Sequence, residues 1–230
     1  MTLEVLFADD QIAAVAKPPG RIVVPGRGAP ERTIRQEAED RLGPLWVVHR
    51  LDRGTSGVLL LARTADTHRA LCGAFEHHRV AKRYVALVRG VLAGDLRVDV
   101  PVASGRKGRM RAGAGIPGAR ASSTFVRSLA AFPPHASLVE AFPASGRTHQ
   151  VRVHLAHAGH SLLVDPDYGE AGPWQAPGGA ARLERTPLHA ASLEFLHPST
   201  GAPVRIEAPI PPDMQEVLEA LRADQESKSG

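Results

Sequence analysis

Apolar residues along this chain fall into short runs, and two of these runs enclose a polar knot. Val47-Val48 and Val58 to Ala62 read as short buried strands, because β-branched and aliphatic residues bounded by glycine and polar residues suit the covered interior of a sheet. Between them lies one carboxylate, Asp52, with Arg50 and Arg53 on either side. Gly54 and Gly57 bracket Thr55-Ser56, marking a tight turn or a close backbone approach. Upstream, Val5 to Val15 reads as two strands around Asp9-Asp10. Ala16 to Pro25 is a proline-stiffened loop presenting Lys17 before another strand. Thr33 with Gln36 forms a capping box for a helix to Leu42, stopped by Gly43-Pro44.

Downstream, a helix from Thr64 carries Leu71, Ala74 and Phe75 on one face. Val80 to Val88 reads as a strand whose period of two puts Lys82 and Tyr84 on the same side. Leu96, Val98 and Val100 alternate in another strand closed by Pro101, and Ser122 to Ala131 pairs with Ala136 to Phe142 around Pro133-Pro134. Thr148 is expected to cap a helix ending at Gly159, with Val151, Leu155 and Ala158 as its core stripe. A turn at Asp165 to Gly169, a loop from Glu170 to Leu183, and strands at Leu188 to Leu196 and Val204 to Glu207 follow. The last helix starts at Asp213 with Glu216 as capping box. Strands joined by short turns outnumber helices. The class is therefore α+β, with a mixed, largely antiparallel central sheet flanked by helices and loops. One domain over residues 1–222 and a frayed polar tail over 223–230 are expected.

Composition narrows the picture. The chain has 230 residues, 43% hydrophobic and 23% charged, ordinary for a globular protein with a substantial core. Its single cysteine, Cys72, cannot form an internal disulfide, which fits a cytoplasmic location. Met1 to Val5 lacks a basic leader and the apolar runs are too short to span a bilayer, so no membrane role is expected. The net charge of +4 leans toward a polyanionic partner. Its placement is more telling: Ser104 to Arg120 contains Arg106, Lys107, Arg109, Arg111 and Arg120, five glycines and no acidic residue. Such a loop is expected to stay mobile until phosphates neutralise it, the alternative being a solvated insertion.

The histidines at 149, 154, 157 and 160 raise a metal reading. His154 and His157 lie one helical turn apart, and Asp165 or Asp167 would add oxygen. No His-Glu-x-x-His pattern is present, so helix-surface and supporting roles are favoured over ligation. Arg147 sits just ahead of a helix N-terminus, where a cation is disfavoured unless an anion lies near.

Taken together, these segments resemble the RluA family of pseudouridine synthases. His49-Arg50-Leu51-Asp52-Arg53-Gly54-Thr55-Ser56-Gly57-Val58-Leu59-Leu60 is similar to the family signature that carries its catalytic aspartate. Lys17-Pro18-Pro19-Gly20, Lys82-Arg83-Tyr84-Val85-Ala86, Gly146-Arg147-Thr148-His149-Gln150-Val151-Arg152, Asp165-Pro166-Asp167-Tyr168-Gly169 and Leu188-His189-Ala190 follow in family order, over nearly the whole chain. The resemblance implies a pseudouridine synthase-like fold without an N-terminal S4-type domain. It also implies isomerisation of uridine in structured ribosomal or transfer RNA, with no cofactor or metal and no obligatory protein partner, by a monomer. By the same resemblance Asp52, Tyr84 and Arg147 are the catalytic set and Arg50 fills the stack left by a flipped base. On their charge, Lys82 and the loop's Arg106, Lys107, Arg109 and Arg111 are expected to join Arg50 as RNA contacts, and Arg53, which departs from the commoner family pattern, is expected to face solvent. Two rivals are carried: a metal-dependent hydrolase built on His154, His157 and Asp165, and a non-catalytic RNA-binding module.

Overall fold

The computed structural model describes residues 3–25 and 31–229, with the side chains of Lys107 and Ser229 excepted. In chain order the elements are β1 (Glu4–Ala8), β2 (Ile12–Lys17), α1 (Ile34–Leu42), β3 (Trp46–Val47), β4 (Ser56–Ala62), α2 (Ala65–Glu76) and β5 (Ala81–Arg89). Next come β6 (Leu96–Val98), β7 (Val102–Ser104), β8 (Met110–Ala112), β9 (Thr124–Phe132), β10 (Ala136–Pro143) and α3 (Gln150–His157). The chain closes with β11 (Trp174–Gln175), β12 (Arg182–Leu183), β13 (Leu188–Leu196), β14 (Pro203–Glu207) and α4 (Pro212–Ser229). The class is α+β, and every ladder whose register is described is antiparallel. The chain forms two compact units, Met1–Lys82 with Ala190–Pro209, and Arg83–His189 with Ile210–Gly230.

In the first unit the strands run β1-β2-β4-β13, with β3 paired to β4 and β14 to β13. All seven residues of β4 are buried, and the period of two explains why this strand is apolar without alternation. Val58, Leu60 and Ala62 enter a core with Ile12, Ala14, Leu71, Phe195 and Ile206. Leu59 and Leu61 enter the opposite core with Ala13, Val15, Ile34 and Ala38. The capping box of α1 forms as the spacing predicts, Thr33 receiving the Gln36 amide. The element after the 16–25 loop is α1 and not the expected strand: residues 22–25 have no ladder, while Val23 is buried in a core and the Ile22 carbonyl accepts from Ile34. The prolines at 18, 19 and 25 lack the N–H groups a ladder needs.

The second unit orders its strands β5-β10-β9-β6, with Tyr84 opposite Ala141 in the β5–β10 register. Val151 and Leu155 of α3 pack onto Ala86, Val88, Val126, Val139 and Ala141. Helix α4 buries Met214, Val217, Leu218 and Leu221. It starts at Pro212, so Asp213 lies inside the first turn and is gripped by Arg185 at 2.7 and 2.8 Å instead of opening a capping box. The tail from Ala223 is helical to Ser229 where fraying was expected. Gln225 Nε2 donates to the Ala131 carbonyl of β9 and Lys228 pairs with Asp224 one turn away. Within the loop expected over Glu170 to Leu183, β11 and β12 form a small ladder.

Candidate active site

Asp52 belongs to the first unit. Its carbonyl accepts the Thr55 amide at 3.1 Å, closing a turn through Arg53-Gly54 that leads directly into β4. The β2–β4 register sets Lys17 opposite Gly57, at the end of the ladder nearest this turn. Lys17 is buried, at 1% exposure, so its ammonium is turned inward where a presented side chain was expected. It donates to the carbonyls of Pro18 (2.9 Å), Arg53 (3.2 Å) and Thr55 (2.7 Å). A buried cation needs such acceptors, and these fasten the turn that carries Asp52. Gly57 makes the close approach that its sequence position foretold. At φ +114° it lies against β13, and a Cβ there would fall 2.2 Å from the Ala190 carbonyl oxygen. Arg53 is exposed but ion-paired with Glu31 at 2.6 Å, while its carbonyl also receives the Gly20 amide.

His49 extends the β3–β4 pairing with its ring. Leu60 N–H donates to Nε2 at 2.9 Å, and the imidazole stacks on Phe75 with centroids 4.6 Å apart. The proton of the neutral ring is therefore on Nδ1. Burial, with the Lys82 ammonium next in effect, pushes its pKa down to about 3. Lys82 is itself buried, and burial lowers its pKa. Arg50 is exposed and has no hydrogen-bond or ion-pair partner among the described residues.

The remaining candidates lie in the second unit. Tyr84 is half-buried at the margin of the β5–β10 core. Arg147 precedes α3, and the expected Thr148 cap is not made. The cap position falls on His149, in the left-handed region at φ 54°, without a side-chain cap. Gln150, the first helical residue, turns its side chain back to accept the Arg147 N–H at 3.1 Å and the Ser145 hydroxyl at 2.6 Å. Arg147 Nε is buried without a hydrogen-bond partner among the described residues, and burial, then the neighbouring Arg120 charge, lower the guanidinium's pKa. Two cations beside one another make a place for an anion.

The basic segment is folded where a mobile loop was expected. β7 and β8 form a hairpin around Arg106–Gly108, and Arg120 exchanges backbone hydrogen bonds with Val102 at 3.0 and 2.9 Å. Met110 N–H donates to the Tyr168 oxygen at 2.7 Å, and Arg109 reaches the Pro166 carbonyl (3.1 Å) and the Asp167 carboxylate (3.3 Å). The acceptors come from the 165–169 turn, which glycine and charge counts within the segment do not reveal. The side chains of Arg106 and Arg111, both exposed, have no hydrogen-bond or ion-pair partner among the described residues.

The cluster on which a metal centre would be built is committed elsewhere. Asp165, 1% exposed, is held by Arg152 at 2.8 and 2.5 Å. His154 has both nitrogens engaged, by Thr124 and by the Val100 carbonyl, each at 2.9 Å. No group of histidine, cysteine or carboxylate side chains suited to a metal occurs among the described residues.

Comparison with known proteins bears on all of this. Residues 11–157 match the family described as RNA pseudouridylate synthase. The ribosomal large subunit pseudouridine synthase D of Xanthomonas campestris pv. campestris is 37% identical over 96% of this chain and 70% of its own length. Synthase C of Yersinia pestis is 39% identical over 95% of this chain and 69% of its own. The solved structure of human RNA pseudouridylate synthase domain containing 4 superposes with a TM-score of 0.77 at 25% identity, covering 95% of this chain and 93% of that one. That of domain containing 1 gives 0.72 at 23% identity, covering 96% and 95%, and supports the fold. The chain belongs to the RluA family of RNA pseudouridine synthases and is an isomerase with an RNA substrate.

Proposed function

We propose that the protein converts uridines of large-subunit ribosomal RNA to pseudouridine, with Asp52 as the group that attacks or assists at the ribose. The observation that carries this reading is the turn of Asp52, fastened by buried Lys17 through the Arg53 and Thr55 carbonyls and rooted in a strand buried on both faces. The relatives, named as ribosomal large subunit pseudouridine synthases, support this RNA class.

Isomerisation breaks the C1′–N1 bond, turns the uracil and joins C1′ to C5. The C5 proton then leaves and N1 gains one, so atoms balance without an outside reactant. An ionised carboxylate serves as nucleophile or as stabiliser of the developing ribose cation. In this reading Arg147 supplies positive charge to the reaction, and Tyr84 stacks on the uracil and moves the C5 proton. The uridine is flipped from its stack at a cost of a few kcal/mol, and Arg50 fills the vacated gap. Arg106 and Arg111, exposed and with side chains that have no partner among the described residues, are the hairpin's best-placed phosphate contacts. Arg109 is partly committed to Asp167.

Mapping pseudouridines in RNA from cells with and without the gene tests the substrate. Loss of one or more large-subunit ribosomal sites, restored by the wild-type gene, is expected. Loss confined to transfer RNA would move the assignment to that class.

A further inference from the structure

Arg147 stands at the end of a chain of hydrogen bonds whose direction is fixed at every step. The Val100 carbonyl accepts only, so His154 Nε2 carries the proton toward it, and neutral Nδ1 is left as an acceptor. Thr124 therefore donates its hydroxyl proton to Nδ1 at 2.9 Å. That leaves the Thr124 oxygen to accept from Gln150 Nε2 at 3.2 Å, while the other amide proton goes to the Ser123 carbonyl at 2.9 Å. These two bonds fix the amide orientation and turn Oε1 toward Ser145 and the Arg147 N–H. Thr124 and His154 are fully buried and Gln150 is 3% exposed, so water does not substitute for a broken link. Burial also lowers the His154 pKa, which keeps the ring in the neutral form the chain requires.

We propose that Thr124 and His154, acting through Gln150, are positioning residues that hold the Arg147 backbone where its guanidinium serves the isomerisation. The inference rests on the role proposed for Arg147. His149 sits in the left-handed region with no side-chain cap of its own, so the segment Ser145 to Gln150 depends on this network for its shape. A small displacement of a side chain that acts on charge lowers the rate far more than it lowers affinity.

The test compares Thr124→Val, isosteric and suited to a strand, with Thr124→Ser, which keeps the hydroxyl. Gln150→Met serves as a second break in the chain. Each is assayed with excess enzyme on total RNA from cells lacking the gene, together with RNA affinity and melting temperature. Thr124→Val and Gln150→Met are expected to slow single-turnover pseudouridine formation at least about tenfold. Affinity should stay within about twofold and Thr124→Ser near the wild-type rate. In an Arg147→Ala background, Thr124→Val should cost little further, because both act on one group. A wild-type rate for Thr124→Val while Arg147→Ala is slow would overturn the network alone. A slow Thr124→Val beside a fully active Arg147→Ala would overturn the Arg147 role and this proposal with it.

Discussion

At the scale of single residues, the side chains that organise the Asp52 turn do so by burying polar atoms against fixed backbone partners. His49 is the clearest titrating case. Its pKa is held near 3 in the fold against the ordinary value of 6.5. Above pH 6.5 the ring is neutral whether folded or unfolded and contributes no pH dependence. Between about 6.5 and 3 the unfolded chain binds a proton that the folded one refuses, so stability falls as pH falls, by about 1.4 kcal/mol per pH unit. His49→Gln should flatten the denaturation profile over that window by about one proton, measured by urea unfolding. An unchanged slope would show that the ring is not held neutral. Lys17 shows how far sequence reaches at this scale: its motif was legible, its direction was not. An ammonium at the end of a strand reads as exposed until the carbonyls of Arg53 and Thr55, some 36 and 38 positions away, are seen to converge on it.

Among elements, β4 was the most legible because its message is local. A continuous apolar run marks a strand covered on both faces, and the glycine at its head marks a close approach. Gly57→Ala would drive a methyl group into Ala190 from a backbone conformation that disfavours it, with no flexible side chain to yield. The expected loss exceeds about 3 kcal/mol, or folding fails, as read by melting temperature. A variant melting like the wild type would mean that β13 stands off from β4. Helix α3 was legible in its core stripe and misread at its start, where His149 takes the cap position without a side-chain cap and Gln150 reaches back to Arg147 and Ser145. The β7–β8 hairpin was hidden for a similar reason, its anchors Tyr168 and Asp167 lying far along the chain.

For the whole molecule, order of motifs carried more than any single element. The α+β class and the family were both readable, since separate segments recur in family sequence and few folds place so many short strands between these helices. The polar C-terminal residues were not readable as helix, because what holds them is the hydrogen bond from Gln225 to β9. RNA binding is a property at this scale, and its salt dependence reports the phosphates engaged. Arg106→Ala and Arg111→Ala should each reduce the slope of log affinity against log salt, by about 0.7 for every single-strand phosphate left unneutralised. Arg109→Ala should reduce it by less, because Asp167 already shares its charge. Equal slopes for all three and the wild type would remove the hairpin from the interface.

In the proposed reaction Asp52 does the chemistry from a turn that Lys17 and β4 hold still. Purified Asp52→Asn, nearly isosteric, incubated with RNA from cells lacking the gene measures this most directly when melting temperature, RNA affinity and pseudouridine content are read on the same preparation. The variant should fold and bind as the wild type does and form no pseudouridine. Product at the wild-type rate would contradict the assignment of Asp52.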